Sequence, residues 1–179
     1  ESAVVTVGSI HGGTKHNVIP SEVKLQLTLR SYTDETRNKI IKTIRRIANG
    51  LAKSYDLPKD LYPEIELKDE YTPALYNNPK LTQKLKVSFE KAIGEENVLA
   101  LAPVMGGEDF GMYGRVEPII PSTLFWLGAV NKKDYDKSIK DNLTLPSLHS
   151  PYFLPDPDPT ITTGVNVMVT SAIDLFNDS

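Results

Sequence analysis

The sequence predicts a mixed α/β chain in two parts: a strand-strand-helix-strand unit over residues 1–72 and the later part of an α/β domain over residues 73–179. Three observations carry this. Apolar residues alternate at period two in "AVVTVGSI" and "VKLQLTLRSY", as in half-buried antiparallel strands. A helical pattern, "KIIKTIRRIANGLAK", follows them directly. From "TPALYNNPK" onward proline and asparagine mark a passage, after which short apolar runs alternate with helical patterns.

The elements follow in order. After the first strand, "HGGTKHNVIPS" carries glycine and asparagine turn chemistry. In the second strand Val23, Leu25, Leu27 and Leu29 point to one face, and Lys24, Gln26, Thr28 and Arg30 to the other. Ile40, Ile41, Ile44, Ile47, Ala48, Leu51, Ala52 and Tyr55 recur at helical spacing, with Thr33 or Asp34 as N-cap and Pro58 as stop. "EIELKDEY" reads as a third strand. Such a unit is most of a small α+β sandwich whose opening strand and helix are missing.

In the second part Asn78 and Pro79 signal the start of a helix carrying Leu81, Leu85, Phe89, Ala92 and Ile93, and Gly94 closes it. "NVLALAPV" and "PSTLFWLGAV" read as buried strands, separated by the loop "MGGEDFGMYGRV". After the polar stretch "NKKDYDKSIKDN" and "LPSLHSPYFLPDPDP", Val165, Val169, Ala172, Ile173 and Phe176 outline the apolar face of a closing amphipathic helix.

Composition excludes several classes of function. A formal net charge of -3 lacks the basic surplus that nucleic-acid binding draws on, so the basic residues of "KIIKTIRRIANGLAK" read as a solvated helix face. No apolar stretch approaches the roughly 20 residues needed to span a bilayer. The absence of cysteine removes disulfides, thiol catalysis and thiolate metal sites, and leaves the compartment open. The chain begins at Glu1 with neither an initiator methionine nor a signal peptide and enters a strand within two residues, which is expected of a processed chain or a fragment.

Three segments carry candidate chemistry. "HGGTKHNVIP" matches no phosphate-loop pattern, and its His11 and His16 lack further metal ligands nearby. A plain hairpin turn accounts for its glycines and proline. Asn17 and Arg30 can be read together as a grip on a carboxylate, since arginine offers a planar bidentate fork, or as ordinary surface residues. In "VMGGEDF" the glycines Gly106 and Gly107 precede the acids Glu108 and Asp109. This is either a ligand-lining loop or a turn in which an acid caps a short helix. His149 in "LHSP" is either a metal ligand or a structural histidine, because a zinc site needs three or four protein ligands.

Taken together and in this order, "GGTKHNVIPSEVKLQLTLRS", "MGGEDF", "FWLG" and "LHSPYF" resemble the zinc-dependent amidohydrolases, a family that includes hippurate hydrolase, indole-acetyl-amino-acid hydrolase and N-acyl-amino-acid carboxypeptidases. The resemblance runs through nearly all of the chain. It implies that residues 1–72 are the latter part of an α+β lid that also mediates dimerisation, and residues 73–179 the C-terminal part of a metallohydrolase catalytic domain. It further implies that His149 is a metal ligand, and that Asn17 and Arg30 contact the substrate's carboxylate and the developing oxyanion. Gly106, Gly107 and Glu108 then lie in the loop on the substrate side of the metal centre.

In the complete enzyme two divalent ions, zinc or alternatively manganese or cobalt, would activate a water for attack on the amide of an N-acyl amino acid or small peptide. The family's upstream metal-ligand motifs and general-base glutamate have no counterpart here. This chain alone is therefore expected to hold no metal tightly and to show little activity. The expected partners are the small substrate and a second copy of the chain, with no nucleic acid and no membrane. The other reading is a non-catalytic module, derived from the same family, that binds a carboxylate or mediates dimerisation.

Overall fold

β1 (Ala3–Gly12) and β2 (Val23–Ser31) pair antiparallel in the computed structural model, which describes residues 2–177. The described residues gather into two units, one running up to Tyr76 and including Ala102–Ser122, the other comprising Asn77–Leu101 and the chain from Thr123.

In the first unit Val5 lies opposite Leu29 and Val7 opposite Leu27, after which Gly8 drops out of the register and Ser9 pairs with Gln26. This bulge adds one residue to β1 and reverses the parity of its side chains. Ile10 therefore comes opposite Leu25, on the face already occupied by Val7 and Leu27. The other face carries Thr6 opposite Thr28, Val4 opposite Arg30 and His11 opposite Lys24, with Ser9 Oγ donating to Gln26 Oε1 at 2.7 Å.

α1 (Asp34–Ser54) begins as the sequence predicts: Thr33 is the N-cap, its side-chain oxygen accepting from Thr36 N at 3.2 Å. Asp34 and Glu35 in the first turn and Lys53 in the last suit the helix dipole. Ile41 and Ala52 are buried, whereas Ile47, Leu51 and Tyr55 stay exposed. The helix therefore covers one side of its apolar face and leaves the other open.

The strand expected over residues 64–71 does not form. A strand exists by pairing with a neighbour, and among the described residues the sheet has two strands, β1 and β2. The segment is held instead through Tyr71, whose ring lies 4.0 Å beneath the Arg37 guanidinium.

In the second unit Asn78 caps α2 (Pro79–Ile93), its Oδ1 accepting from Leu81 N at 3.0 Å, and Gly94 ends the helix at φ +88°. Both ends agree with the sequence. "NVLALAPV" and "PSTLFWLGAV" form no ladder, for the same reason as residues 64–71: no neighbouring strand meets them. The Asn77 carboxamide supplies a substitute pair of bonds, donating to Leu124 O at 2.8 Å and accepting from Leu124 N at 2.9 Å. Phe89 packs on Phe125 with ring centroids 4.7 Å apart.

The polar stretch after Val130 holds a helix that polarity alone did not announce. It is α3 (Lys132–Asp141), capped by Asn131 at one end and by the left-handed Asn142 at the other. α4 (Pro157–Asn177) packs on α2, but not by the face expected. Val165, Val169, Ile173 and Phe176 are exposed, and the buried line runs through Val167 and Ser171. The helix is apolar on nearly every side, so its period does not single out the packed face. Small and polar residues favour the close approach to α2. Asn166 donates to Ala92 O at 3.1 Å, and Asp174 accepts from Ser88 Oγ and Lys91 Nζ, each at 2.8 Å. The Lys91 bond, then that of Ser88, holds the Asp174 carboxyl below the usual carboxylate range. This linkage is present at neutral pH and is lost only as pH falls through that depressed value.

Among the described residues the buried apolar residues are few: Ile41, Ala52 and Val167. Val5, Val7, Leu25 and Leu27 leave the apolar face of the hairpin about half exposed, beside two open strand edges. The isolated chain is therefore expected to associate in solution. Light scattering at moderate concentration should report dimers or larger species, and a clean monomer would refute the expectation.

Candidate functional site

Arg30 is the next-to-last residue of β2 and stands on its polar face. Its Nη1 donates to the carbonyl of Met105 at 2.5 Å, joining the strand to the start of the Gly106-Gly107-Glu108 loop. Past Ser31 the chain bends at Tyr32 and Thr33 and enters α1 at Asp34. Tyr32 OH donates to Pro103 O at 3.2 Å. Asp34 receives both ends of the Arg115 fork, at 2.7 and 3.3 Å. Arg30, Tyr32 and Asp34 thus hold three points of one segment.

Within that segment Glu108 bends back, and its Oε1 accepts from Phe110 N at 3.0 Å, capping the short 3-10 helix Asp109–Arg115. The turn reading of "GGEDF" holds for this carboxylate. The helix sits close to the chain: a Cβ on the buried Gly111 would lie 3.1 Å from Leu75 Cα. Phe110 and Tyr113 stack with centroids 5.3 Å apart. The Arg115 bond, and then its charge, holds the Asp34 carboxyl below its ordinary range, and Arg37 adds to this. Asp34 in turn raises the Arg115 guanidinium. The pair is formed above the usual carboxylate range and parts only as pH falls through the lowered value.

Asn17 lies in the β1–β2 connection, exposed, within the turn closed by Val18 N donating to Lys15 O. Arg30 pairs with Val4, and Val23 with Gly12 at the connection's end of the ladder. Seven residues of strand at about 3.3 Å each separate Arg30 from Val23. The ladder thus puts Arg30 and the connection that carries Asn17 at opposite ends of the hairpin.

His149 belongs to the second unit and is exposed in the turn closed by Ser150 N donating to Ser147 O at 2.9 Å. Among the described residues no three His, Asp or Glu side chains gather as a metal site. His149 offers one imidazole donor, and the described residues do not by themselves fit a metal pair. Sequence reading singled out Arg30 and passed over Tyr32, Asp34 and Arg115. The available signal was the alternation of functional side chains in "RSYTD".

Residues 3–56 match the peptidase dimerisation domain of the M20 family. The relatives and solved structures to which the chain is similar include amidohydrolases and an M20 peptidase. The chain is 40% identical over 129 residues to an N-acetyldiaminopimelate deacetylase of Streptococcus gordonii, a match covering 72% of this chain and 32% of that enzyme. The corresponding enzyme of Lactococcus lactis subsp. cremoris is 38% identical over 128 residues, with the same coverage. In fold the chain is similar to the Bacillus subtilis YXEP protein, a dinuclear metal binding peptidase of the M20 family. The TM-score is 0.72 at 23% identity, over 97% of this chain and 42% of that one. This chain spans about a third of the length of the curated relatives it matches.

Proposed function

We propose that the chain is the portion of a metal-dependent amidohydrolase that holds the substrate's carboxylate and supplies one metal ligand. The observation that carries the reading is Arg30, held by Met105 O at the mouth of the Gly106-Gly107-Glu108 loop. One bond occupies Nη1, and the fork has further N–H groups to offer an incoming carboxylate. The substrate class that suits this grip is an N-acyl amino acid or small peptide with a carboxylate near the scissile amide. The N-acetylated diamino acid acted on by the Streptococcus and Lactococcus relatives is the first to try.

Each residue keeps a separate role in this reading. Arg30 fixes the carboxylate and so orients the amide. The backbone of Gly106 and Gly107 lets the substrate approach, and Glu108 shapes the loop by its bond to Phe110 N. Residues 1–72 are the lid and dimerisation part, and residues 73–179 the catalytic part.

His149 supplies one donor to a divalent metal pair whose other ligands come from outside the described residues. When bound, such ions would supply an activated water and polarise the amide carbonyl. The M20 character of the YXEP protein supports this reading, and zinc, manganese or cobalt would each suit it.

The test compares two polypeptides. The chain alone, supplied with zinc, manganese or cobalt, is expected to release no acetate from N-acetyldiaminopimelate above background. The complete polypeptide containing it should turn the substrate over. Full turnover by the chain alone would overturn the division of labour, and failure of the complete polypeptide on every N-acyl amino acid would overturn the reaction class.

A further inference from the structure

The geometry points to Arg115 as a positioning residue that, through Asp34, straps the Gly106–Glu108 loop in place beneath Arg30. This deepens the amidohydrolase reading and rests on it for its kinetic consequence. The strap itself rests on geometry alone.

Arg30 near the end of β2, Tyr32 in the bend that follows and Asp34 at the start of α1 hold Met105, Pro103 and Arg115. Two of the held points precede the glycine pair and one follows it, so the loop is fastened on both sides. The upstream fastenings are single hydrogen bonds to carbonyls. The downstream one has the planar two-bond geometry of a guanidinium on a carboxylate, with Arg115 Nη1 and Nη2 on the two oxygens of Asp34.

Between the fastenings, Gly106 and Gly107 have backbone freedom and no side chain to pack. An added Cβ at Gly107 would meet nothing within 4 Å, and one at Gly106 only Val104 Cγ2 at 3.9 Å. The order of this stretch therefore comes from its ends. Gly111 against Leu75 fixes the depth of the 3-10 helix, and Arg115 fixes its far end. Releasing Arg115 leaves the helix one backbone approach and frees the glycine pair to drift. The Met105 carbonyl, and the guanidinium that it orients, would drift with it.

Arg115 touches no reacting atom in this arrangement, so its removal should act on substrate capture before turnover. In the complete polypeptide, Arg115→Ala is expected to raise KM for an N-acyl amino acid about 5- to 20-fold and to change kcat less than about 3-fold. Arg115→Lys keeps the charge but not the fork and should fall between. The charge-reversed pair Asp34→Arg with Arg115→Asp should recover most of the KM, which a purely structural role for either residue alone would not produce.

Hydrogen exchange provides a readout independent of activity. In the isolated chain, Arg115→Ala should speed amide exchange across residues 106–114 at least about 10-fold and leave α2 unchanged. Unchanged exchange in that loop would overturn the strap. Faster exchange with an unaltered KM in an active polypeptide would overturn the positioning role. If the complete polypeptide hydrolyses no N-acyl amino acid, the amidohydrolase reading fails, and exchange alone still decides the strap.

Discussion

Under the proposed amidohydrolase activity, replacing Arg30 by alanine in the complete polypeptide is expected to lower kcat/KM toward an N-acyl amino acid by about 100- to 1000-fold. The size follows from what is lost: hydrogen bonds to a charged group contribute roughly 1.5–3 kcal/mol each, and two that share one carboxylate, being less than additive, together about 3–4 kcal/mol. At about 1.4 kcal/mol per factor of ten this gives the stated range. Arg30→Lys keeps the charge without the planar fork and is expected to recover part of the loss. The decisive control is a substrate whose carboxylate is replaced by a carboxamide. Wild type and Arg30→Ala should process it equally slowly, because the arginine then has no anion to hold. An undiminished effect of the substitution on the carboxamide would show that Arg30 acts on the fold and not on the ligand.

Val167→Asp in α4 is expected to destabilise the second unit by about 3–5 kcal/mol. Val167 is 2% exposed in a helix that packs on α2. The substitution removes a buried branched side chain and puts a carboxylate where nothing compensates its charge. Val165→Asp is the matched control, since Val165 is 57% exposed on the same helix. Urea denaturation of the isolated chain, followed by circular dichroism, should separate the two midpoints clearly. If both variants unfold together, the face assigned to the α2 contact is wrong.

Helices were legible in the sequence where their signals are local. Thr33 at the start of α1, and Asn78, Pro79 and Gly94 around α2, act within one turn of themselves, and the structure uses each as expected. Strands were less legible because alternation prepares a strand and a neighbour completes it. Ile65 and Leu67 alternate as well as the residues of β2 do, but they meet no partner. α4 misled in another way: with apolar residues all around it, the deciding factor was the close fit allowed by Ser88, Ser171 and Asp174.

The candidate site divides along the same line. Arg30 is conspicuous on a polar strand face, but its partner Met105 lies 75 residues away. The partner is a backbone carbonyl, which no residue pattern announces. Asp34 was noticed as a possible helix cap, whereas its side chain is committed to Arg115. Asn17 and Arg30 can be read together from the sequence, and only the ladder register shows that Arg30 and the connection that carries Asn17 lie at opposite ends of the hairpin.

The bulge at Gly8 has a consequence for how this hairpin can vary among relatives. Residues before it present their apolar side chains at odd positions, Val5 and Val7, and Ile10 after it does so at an even one. β1 is in effect a message written in two phases, with Gly8 as the mark between them. Exchanges of one apolar residue for another leave both phases intact. Gaining or losing one residue between Ala3 and Gly12 does not: it puts one half of the strand out of phase and turns its greasy side to the polar side. Relatives should therefore differ freely here in spelling and very little in length, and a paired insertion and deletion spanning the glycine should be the tolerated exception.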